Sequence, residues 1–462
     1  MVALLVQFKN VILTLIQVMN TWMRDMKFFG WRSAVLLIFT VPALIIIYNM
    51  KISTTLRFIE KLLDVPASCP SSISEQSITP LENTQHFLVS AYMDQRVKGF
   101  DIRIIGIFKR DSIHPLYCSF CCEGVFNKTT PATVLINKDH FGFPFSATNV
   151  LCKIPESCDA SHVTVLTQPF TKNVSNPIWL PIRNKKSHDQ KERKLNFTVC
   201  ISTLFGNYNN VLQVAQSLQM YRLLGVERVM IYKTSCGPEL ERLLQSYIQE
   251  GFVEMVPWPI DKYLNPSWGW RFEKDGGDLH YFGQIVTLNE CIYRSMERSH
   301  YILLNDIDEI IMPYKHDSLV SMMNMLESKH SKVGEFLFES HIFPKTHFDK
   351  SRRFHLPQWE KVPGSNILEH IYREEPDRRK YLLQKMIVKP RFVEQTSVHE
   401  VLKNFGRRFY VPPAICHVIH VRVPLHKSVE LKDLHEDKRL WHFQEKLIPN
   451  VDKVLQRAGL IN

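Results

Sequence analysis

The sequence predicts an α/β protein: a doubly wound sheet domain behind a small β-rich module and a membrane anchor. Three observations carry this. From residue 196 onward, short apolar runs alternate with segments of helical periodicity, the rhythm of strand-helix-strand units. One such run, Tyr301 to Leu304, is apolar on both faces and leads straight into Asn305-Asp306-Ile307-Asp308-Glu309. A strand in the middle of a parallel sheet reads this way, because helices cover both of its faces. Near the start of the chain, Ala34 to Tyr48 runs without a charge.

The 462 residues are enough for two or three domains. A hydrophobic fraction of 45% supports a sizeable core and excludes gross disorder. The net charge of +11 suits anionic partners. The basic residues are spread along the chain, with no zinc-finger spacing, aromatic RNA-binding signature or basic helix, so no nucleic-acid partner is expected. Anionic substrates such as nucleotides fit the same charge.

Taken in order, residues 1–27 read as a cytosolic tail and 28–50 as a transmembrane signal anchor. Ala34 to Tyr48 alone is short of the roughly 20 residues a span needs. Including Phe28 to Trp31, with Arg32 snorkelling to the interface, reaches that length. No small-residue cleavage site follows Tyr48. Lys9, Arg24, Lys27 and Arg32 precede the span, a bias toward a cytosolic N-terminus. The expectation is a single-pass type II protein of the Golgi or ER membrane with its catalytic part in the lumen. Asn127-Lys-Thr129, Asn173-Val-Ser175 and Asn196-Phe-Thr198 are glycosylation acceptor patterns that agree with it. Six of the ten cysteines (69, 118, 121, 122, 152 and 158) precede residue 160. Cys118-x-x-Cys121-Cys122 has no second pair at zinc-finger spacing, so disulfides are expected, with the pairing open.

Residues 51–80 read as a stem and 81–182 as a β-rich lumenal module, with strands at Phe87 to Tyr92, Ile102 to Phe108, Tyr117-Cys118 and Thr133 to Ile136. Residues 183–195 are a charged linker. Residues 196–425 form the catalytic domain. Its first strand is Phe197 to Ile201, followed by a helix that Asn210 can cap and Gly225 ends. Val229 to Tyr232, the helix Pro238 to Glu250 and Phe252 to Val256 come next. A loop rich in aromatics then leads to a helix over Tyr281 to Met296, and Tyr301 to Leu304 is the fourth strand. Past Pro313, Ser318 to Ser328 reads as helix, and Gly334 to Phe338, Lys385 to Val388 and Ala414 to Arg422 as extended. Residues 426–462 are a C-terminal helical segment, with Leu425 to Ala458 mostly helical.

The chemistry concentrates where the fourth strand ends, because open α/β sheets bind ligands in the crevice at their strand ends. Alternate residues of an extended chain point the same way, so Asp306 and Asp308 are expected to face one point. Two carboxylates so close repel, and a hard divalent cation relieves this. Strand one ends at Ser202-Thr203 and strand two at Tyr232, near the same crevice.

An ordered set of motifs resembles glycosyltransferase family 92. It comprises Ser90-Ala91-Tyr92-Met93-Asp94-Gln95-Arg96, Gly283-Gln284 with Asn289 to Arg294, and Asp306-Ile-Asp308-Glu309. His399 follows Lys385-Met-Ile-Val-Lys-Pro390, and His420-Val421-Arg422 closes the set. Glu290 stands where the family usually has Asp, and Val421 where it has Tyr. The resemblance implies a GT-A-like fold with a mixed sheet. It implies inverting transfer of a hexose, galactose favoured, from a UDP-sugar to an N-glycan or other glycan acceptor, with Mn²⁺ or Mg²⁺. Asp306, Asp308 and Glu309 are then catalytic. Asp306, Asp308, His420 and His399 are the metal candidates, His420 ahead of His399. Ser202, Thr203, Tyr232, Gln284, Trp270, Arg271 and Arg422 bind donor or acceptor. The catalytic base is left open, with Glu339 and Glu400 as options. Two other readings stand beside this one: an Asp306-dependent phosphohydrolase, and a non-catalytic lectin-like protein.

Overall fold

The structure, a computed structural model, describes residues 72–122, 125–126, 129–169, 177–185, 194–376, 383–424 and 429–462, with the isolated positions Gln17, Lys51 and Cys69. The chain divides between Ala67 and Ser68, and the architecture below is that of Ser68–Asn462. The tail, the anchor, most of the stem, Asn127, Asn173 and residues 186–193 of the charged linker lie outside the described residues. Among the described residues, no helix is long and apolar enough to cross a membrane.

The N-terminal module is two facing sheets. Strands β1 (Phe87–Met93), β2 (Ile102–Lys109), β4 (Thr133–Ile136) and β5 (Phe145–Cys152) form one, in the order β1-β2-β5-β4. Strands β3 (Tyr117–Cys122), β6 (Ala160–Leu166) and β7 (Ile178–Pro181) form the other, in the order β7-β6-β3. Residues expected in the stem belong to these sheets instead: Ser72–Ile73 pairs with β7 and Thr79–Pro80 with β1. Leu88, Ala91, Ile104, Phe120, Val150 and Val163 fill the space between the sheets. Disulfides Cys69–Cys121, Cys118–Cys152 and Cys122–Cys158 staple them.

From β8 (Leu195–Leu204) the chain is α/β. Helix α1 (Val211–Leu223) leads to β9 (Arg228–Lys233), α2 (Pro238–Gln249) to β10 (Val253–Pro257), and α3 (Gln284–Ser295) to β11 (Ser299–Asn305). Then come β12 (Glu309–Pro313), α4 (Leu319–Lys329), β13 (Val333–Pro344), β14 (Gln384–Val388), β15 (Arg407–Tyr410) and β16 (Cys416–Arg422). The expected mixed sheet is present, in the order β10-β9-β8-β11-β14-β13-β16-β12, with β15 beside β13. Strands β10, β9, β8 and β11 are mutually parallel, and β14 lies antiparallel between β11 and β13. Strand order reverses between β8 and β11, which is where such sheets take their ligands.

The two parts share a core. The second face of the β1-β2-β5 sheet sets Val89, Tyr92, Ile105 and Ile107 against Val286, Tyr293 and Ile302 of the α/β domain. The Ser90 to Arg96 motif fastens this junction. Ser90 and Tyr92 donate to buried Glu290 on α3 at 3.0 and 2.5 Å. Asp94 pairs with Arg96 and Arg103, and Arg96 also donates to the carbonyls of Arg391 and Val393. A fourth disulfide, Cys200–Cys291, ties β8 to α3.

Two expected element ends move, and one cap works differently. Asn210 holds the N-cap position of α1 as expected, but its side chain makes no capping bond; its Oδ1 accepts from Ser365 N at 2.8 Å. Helix α3 starts at Gln284, not Tyr281, because Tyr281, Phe282 and Gly283 have φ of 37°, 53° and 81°, a left-handed run that helix cannot include. The C-terminal helix α5 spans only Gln444–Arg457, burying Leu447, Val451, Val454 and Leu455, while Leu431–Asp433 and Arg439–Phe443 are short 3₁₀ turns.

Candidate active site

Strand β11 ends in an amide that closes a turn. Asn305 Nδ2 donates to the Tyr221 hydroxyl on α1 and to Glu309 O at 2.8 Å. Glu309 N returns to Asp306 O at 3.3 Å. Residues 306–308 are therefore a tight turn into β12, not the extended run expected. Alternation does not aim Asp306 and Asp308 at one point; the turn sends each to different partners.

Asp306 Oδ2 meets Lys385 Nζ of β14 at 2.6 Å, and its Oδ1 accepts from Gln284 Nε2 at 3.3 Å. Lys385 also lies 3.1 Å from Glu309 Oε2. Glu309 faces His420 across the β12–β16 register, with Oε1 3.0 Å from Nδ1. The other ring nitrogen of His420 is 3.5 Å from Asp308 Oδ2. Lys385 and Glu309 are buried, whereas Asp306 and Asp308 open to the crevice at 36% and 26% exposure.

Electrostatics follow from this alternation of charge. Burial would lower the His420 pKa, but Glu309 and Asp308 raise it to about 9. Burial would raise Glu309, but Lys385 and His420 hold it well below the usual carboxylate range. Burial works against the Lys385 ammonium too, and Asp306 and Glu309 overcome it, raising its pKa.

The other expected residues divide. Ser202 and Thr203 end β8 beside this turn; Ser202 is buried, and Thr203 Oγ1 donates to Tyr281 O at 3.4 Å. Arg422 ends β16, and its carbonyl accepts from Lys345 N at 2.9 Å. Trp270 is exposed, with the Arg271 guanidinium 4.8 Å over its ring. Its neighbour Trp268 rests edge-on against Phe205 and Phe282, which flank Thr203 and Gln284 in sequence. Tyr232 is a correction. It is fully buried and its hydroxyl donates to Glu290, because Cys200 of β8 and Met230 and Tyr232 of β9 face α3 and the module rather than the crevice. His399 Nδ1 is engaged with Gln384 O at 2.9 Å, and burial and the Lys385 charge lower its pKa. Of the two candidate bases, Glu400 pairs with Arg408 at 3.1 Å and Glu339 lies 3.0 Å from His341 Nε2.

Sequence reasoning missed Lys385, Tyr208 and Lys345. Tyr208 carries the influence of both Asp306 and Asp308, and Lys345 that of Asp308 and Arg422. The available signal was a lysine heading the apolar stretch Met386-Ile387-Val388 of a central strand, where an unpaired charge is costly.

Among the described residues, no three His, Cys, Asp or Glu side chains are arranged to hold a metal ion. Asp308 and His420 do lie side by side. A carboxylate oxygen and an imidazole nitrogen, here 3.5 Å apart, are donor types that divalent manganese and zinc-like ions accept. Asp306 is engaged with Lys385 and Gln284 instead.

Fold and site define a mixed α/β domain with a cluster of paired charges at the switch point of its sheet. Residues 196–458 match the profile of glycosyltransferase family 92, and the chain belongs to that family. Two Caenorhabditis elegans proteins are similar to it. Glycosyltransferase family 92 protein F13G3.3 is 26% identical over 240 residues, 51% of this chain and 42% of that protein. Beta-1,4-galactosyltransferase galt-1 is 22% identical over 269 residues, 57% of this chain and 59% of that protein. The match thus spans about half the length of these relatives. A crystal structure of S. aureus TarS 1-349 in complex with UDP aligns with a TM-score of 0.28 at 10% identity, covering 56% of this chain and 65% of that one, too loose a likeness to build on.

Proposed function

We propose that the chain is a glycosyltransferase that moves a sugar, galactose in the first instance, from a UDP-sugar to a glycan acceptor, N-glycans included. The observation that carries this is the convergence of Asp306, Asp308, Glu309, Lys385 and His420 at the sheet's switch point, in a member of family 92. The name of galt-1 supports galactose as the first donor to try. Asp308 and His420 would hold Mn²⁺ or Mg²⁺, which when bound offsets negative charge on a departing diphosphate.

The chain's own residues take the remaining tasks. Lys345 and Arg422 bring positive charge to the Asp308 side of the crevice, where the diphosphate would lie. Ser202 and Thr203 mark the nucleoside end of β8. Gln284 steadies Asp306. Trp270 offers an exposed ring, and Arg271 a guanidinium, to an acceptor sugar. A type II, lumenal setting in the Golgi or ER belongs to the same proposal. It is supported by the charge-free run Ala34 to Tyr48 and by four disulfides among the described residues, which suit an oxidising compartment.

The test is UDP release by the full chain from a panel of UDP- and GDP-sugars with Mn²⁺, with and without a glycan acceptor. Asp308→Asn should lower turnover at least about 100-fold while leaving the circular dichroism spectrum unchanged. An Asp308→Asn chain that transfers at the wild-type rate in EDTA would sink the metal-assisted reading. Release of an aryl phosphate with no sugar donor present would favour the phosphohydrolase instead.

A further inference from the structure

We propose that Phe141, on the β4–β5 connection of the N-terminal module, is a positioning residue for the acceptor: it sets the loop on which a sugar ring of the acceptor glycan stacks. The inference rests on the glycosyltransferase reading for the identity of that sugar. The loop lies between β10 and α3 and presents Trp268, Trp270 and Phe272 at 67%, 47% and 40% exposure. Exposed apolar rings gathered at one place mark a binding surface, as scattered ones do not. Trp270 beside the Arg271 guanidinium suits a pyranose, whose C–H face packs on an aromatic ring while its hydroxyls accept from the guanidinium.

The loop is closed at its base, where Ser267 N donates to Leu279 O at 2.8 Å and Asp278 N to Asn265 O at 2.7 Å. It then runs into the crevice: Tyr281 O accepts from Thr203 Oγ1, and Gln284 reaches Asp306. The module fixes the loop from the side. Phe141 stacks on His280 with ring centroids 4.6 Å apart and meets Trp270 edge-on at 6.3 Å. Phe143 meets Phe272 edge-on at 5.3 Å, and Phe145 N donates to Asp278 O at 3.0 Å. The Arg110 guanidinium holds the connection itself, donating to Phe143 O at 2.7 Å and Gly142 O at 3.2 Å. Phe141 has a φ of 50°, a region that a bulky side chain avoids. Of the six non-glycine residues with positive φ among the described residues, Phe141, Tyr281 and Phe282 lie on the two sides of this one contact. Backbone strain kept on both sides of a contact beside the crevice fits a geometry held for binding.

Steady-state kinetics of the full chain, with UDP-galactose, Mn²⁺ and a pool of N-glycans as acceptor, test this. Trp270→Ala should raise the acceptor KM at least about tenfold. Phe141→Ala should raise it at least about fivefold while the KM for UDP-galactose moves less than about twofold, and Phe141→Tyr, which keeps the ring, should restore it. Phe141→Gly removes the same ring and relieves the left-handed backbone, so it decides the matter should the alanine variant fail to fold. A Phe141→Gly chain with the wild-type acceptor KM would overturn the inference. Equal rises in donor and acceptor KM would overturn it too, because the loop would then serve the nucleotide. Tryptophan fluorescence titrated with the same N-glycans separates this inference from the reading it rests on. A glycan-dependent change that is lost in Trp270→Ala and weakened in Phe141→Gly, in a chain that releases no UDP from any nucleotide sugar, would fell the glycosyltransferase reading and leave the glycan platform standing. Transfer to the N-glycans with wild-type kinetics in both variants would fell the platform alone.

Discussion

At the scale of single residues, His420 carries the most consequence. Its folded pKa of about 9 stands above the ordinary 6.5. A group that holds its proton more tightly when folded stabilises the fold below its unfolded pKa. That contribution is full below pH 6.5 and drains away as pH rises through about 9. The difference corresponds to on the order of 3 kcal/mol. In EDTA, the urea midpoint of the wild type should therefore fall between pH 6.5 and 9, and His420→Gln should flatten that fall. Equal slopes for the two proteins would contradict the raised pKa. The acidic residues themselves were legible in the sequence, because Asp306, Asp308 and Glu309 adjoin an apolar strand and their type and spacing are local facts. Lys385 was not. It lies 79 positions from Asp306, and residue type alone does not say which strand β11 pairs with.

At the scale of elements, the junction of β1 and α3 turns on Glu290. Burial would raise its pKa, yet Arg294 and the hydroxyls of Tyr232 and Tyr92 lower it to about 2. It therefore contributes stability that is present above pH 4.5 and lost as pH falls through about 2. Glu290→Gln takes from the half-buried Arg294 guanidinium its near carboxylate, 2.7 Å away in the native chain, and leaves only Glu254 at 3.9 Å. The expected cost is about 3 kcal/mol, read as a shift in urea midpoint at neutral pH. A shift under about 1 kcal/mol would mean that the hydroxyls, not the charge pair, hold the junction. Periodicity identified the strands and helices of the α/β domain well, because it reports which side of an element is apolar. It misjudged ends. Tyr281 and Phe282 are helix-compatible residue types, but contacts such as Trp258 Nε1 to Phe282 O at 2.7 Å hold that backbone left-handed. Before Gln444, Leu431–Asp433 buries nothing and Arg439–Phe443 buries Leu440 from a 3₁₀ turn, so no helical stripe runs through the stretch.

At the scale of the whole molecule, the β module is structurally part of what surrounds the site. Its first sheet buries one face on β3, β6 and β7 and the other on α3. A chain beginning at residue 196 would expose Val286, Tyr293 and Ile302 and strand the Glu290–Arg294 pair without Ser90 and Tyr92. It should be insoluble or lack fixed near-ultraviolet dichroism, whereas a chain beginning at Ser68 should fold with its disulfides formed. A soluble, cooperatively melting 196–462 fragment would show the module to be dispensable.

Sequence alone determined the local chemistry: strands alternating with helices, cysteines gathered in the first module, a group of carboxylates after the fourth strand and a histidine on a late one. These are written in residue type and short-range period. Only the tertiary structure decided that β14 lies antiparallel beside β11, that Tyr232 turns inward to Glu290, and that Cys200 meets Cys291. The physical reason is that an amphipathic pattern specifies a face to be buried but not the neighbour that buries it. Neighbours are chosen by how the whole core closes, and here that choice sets a lysine between two carboxylates.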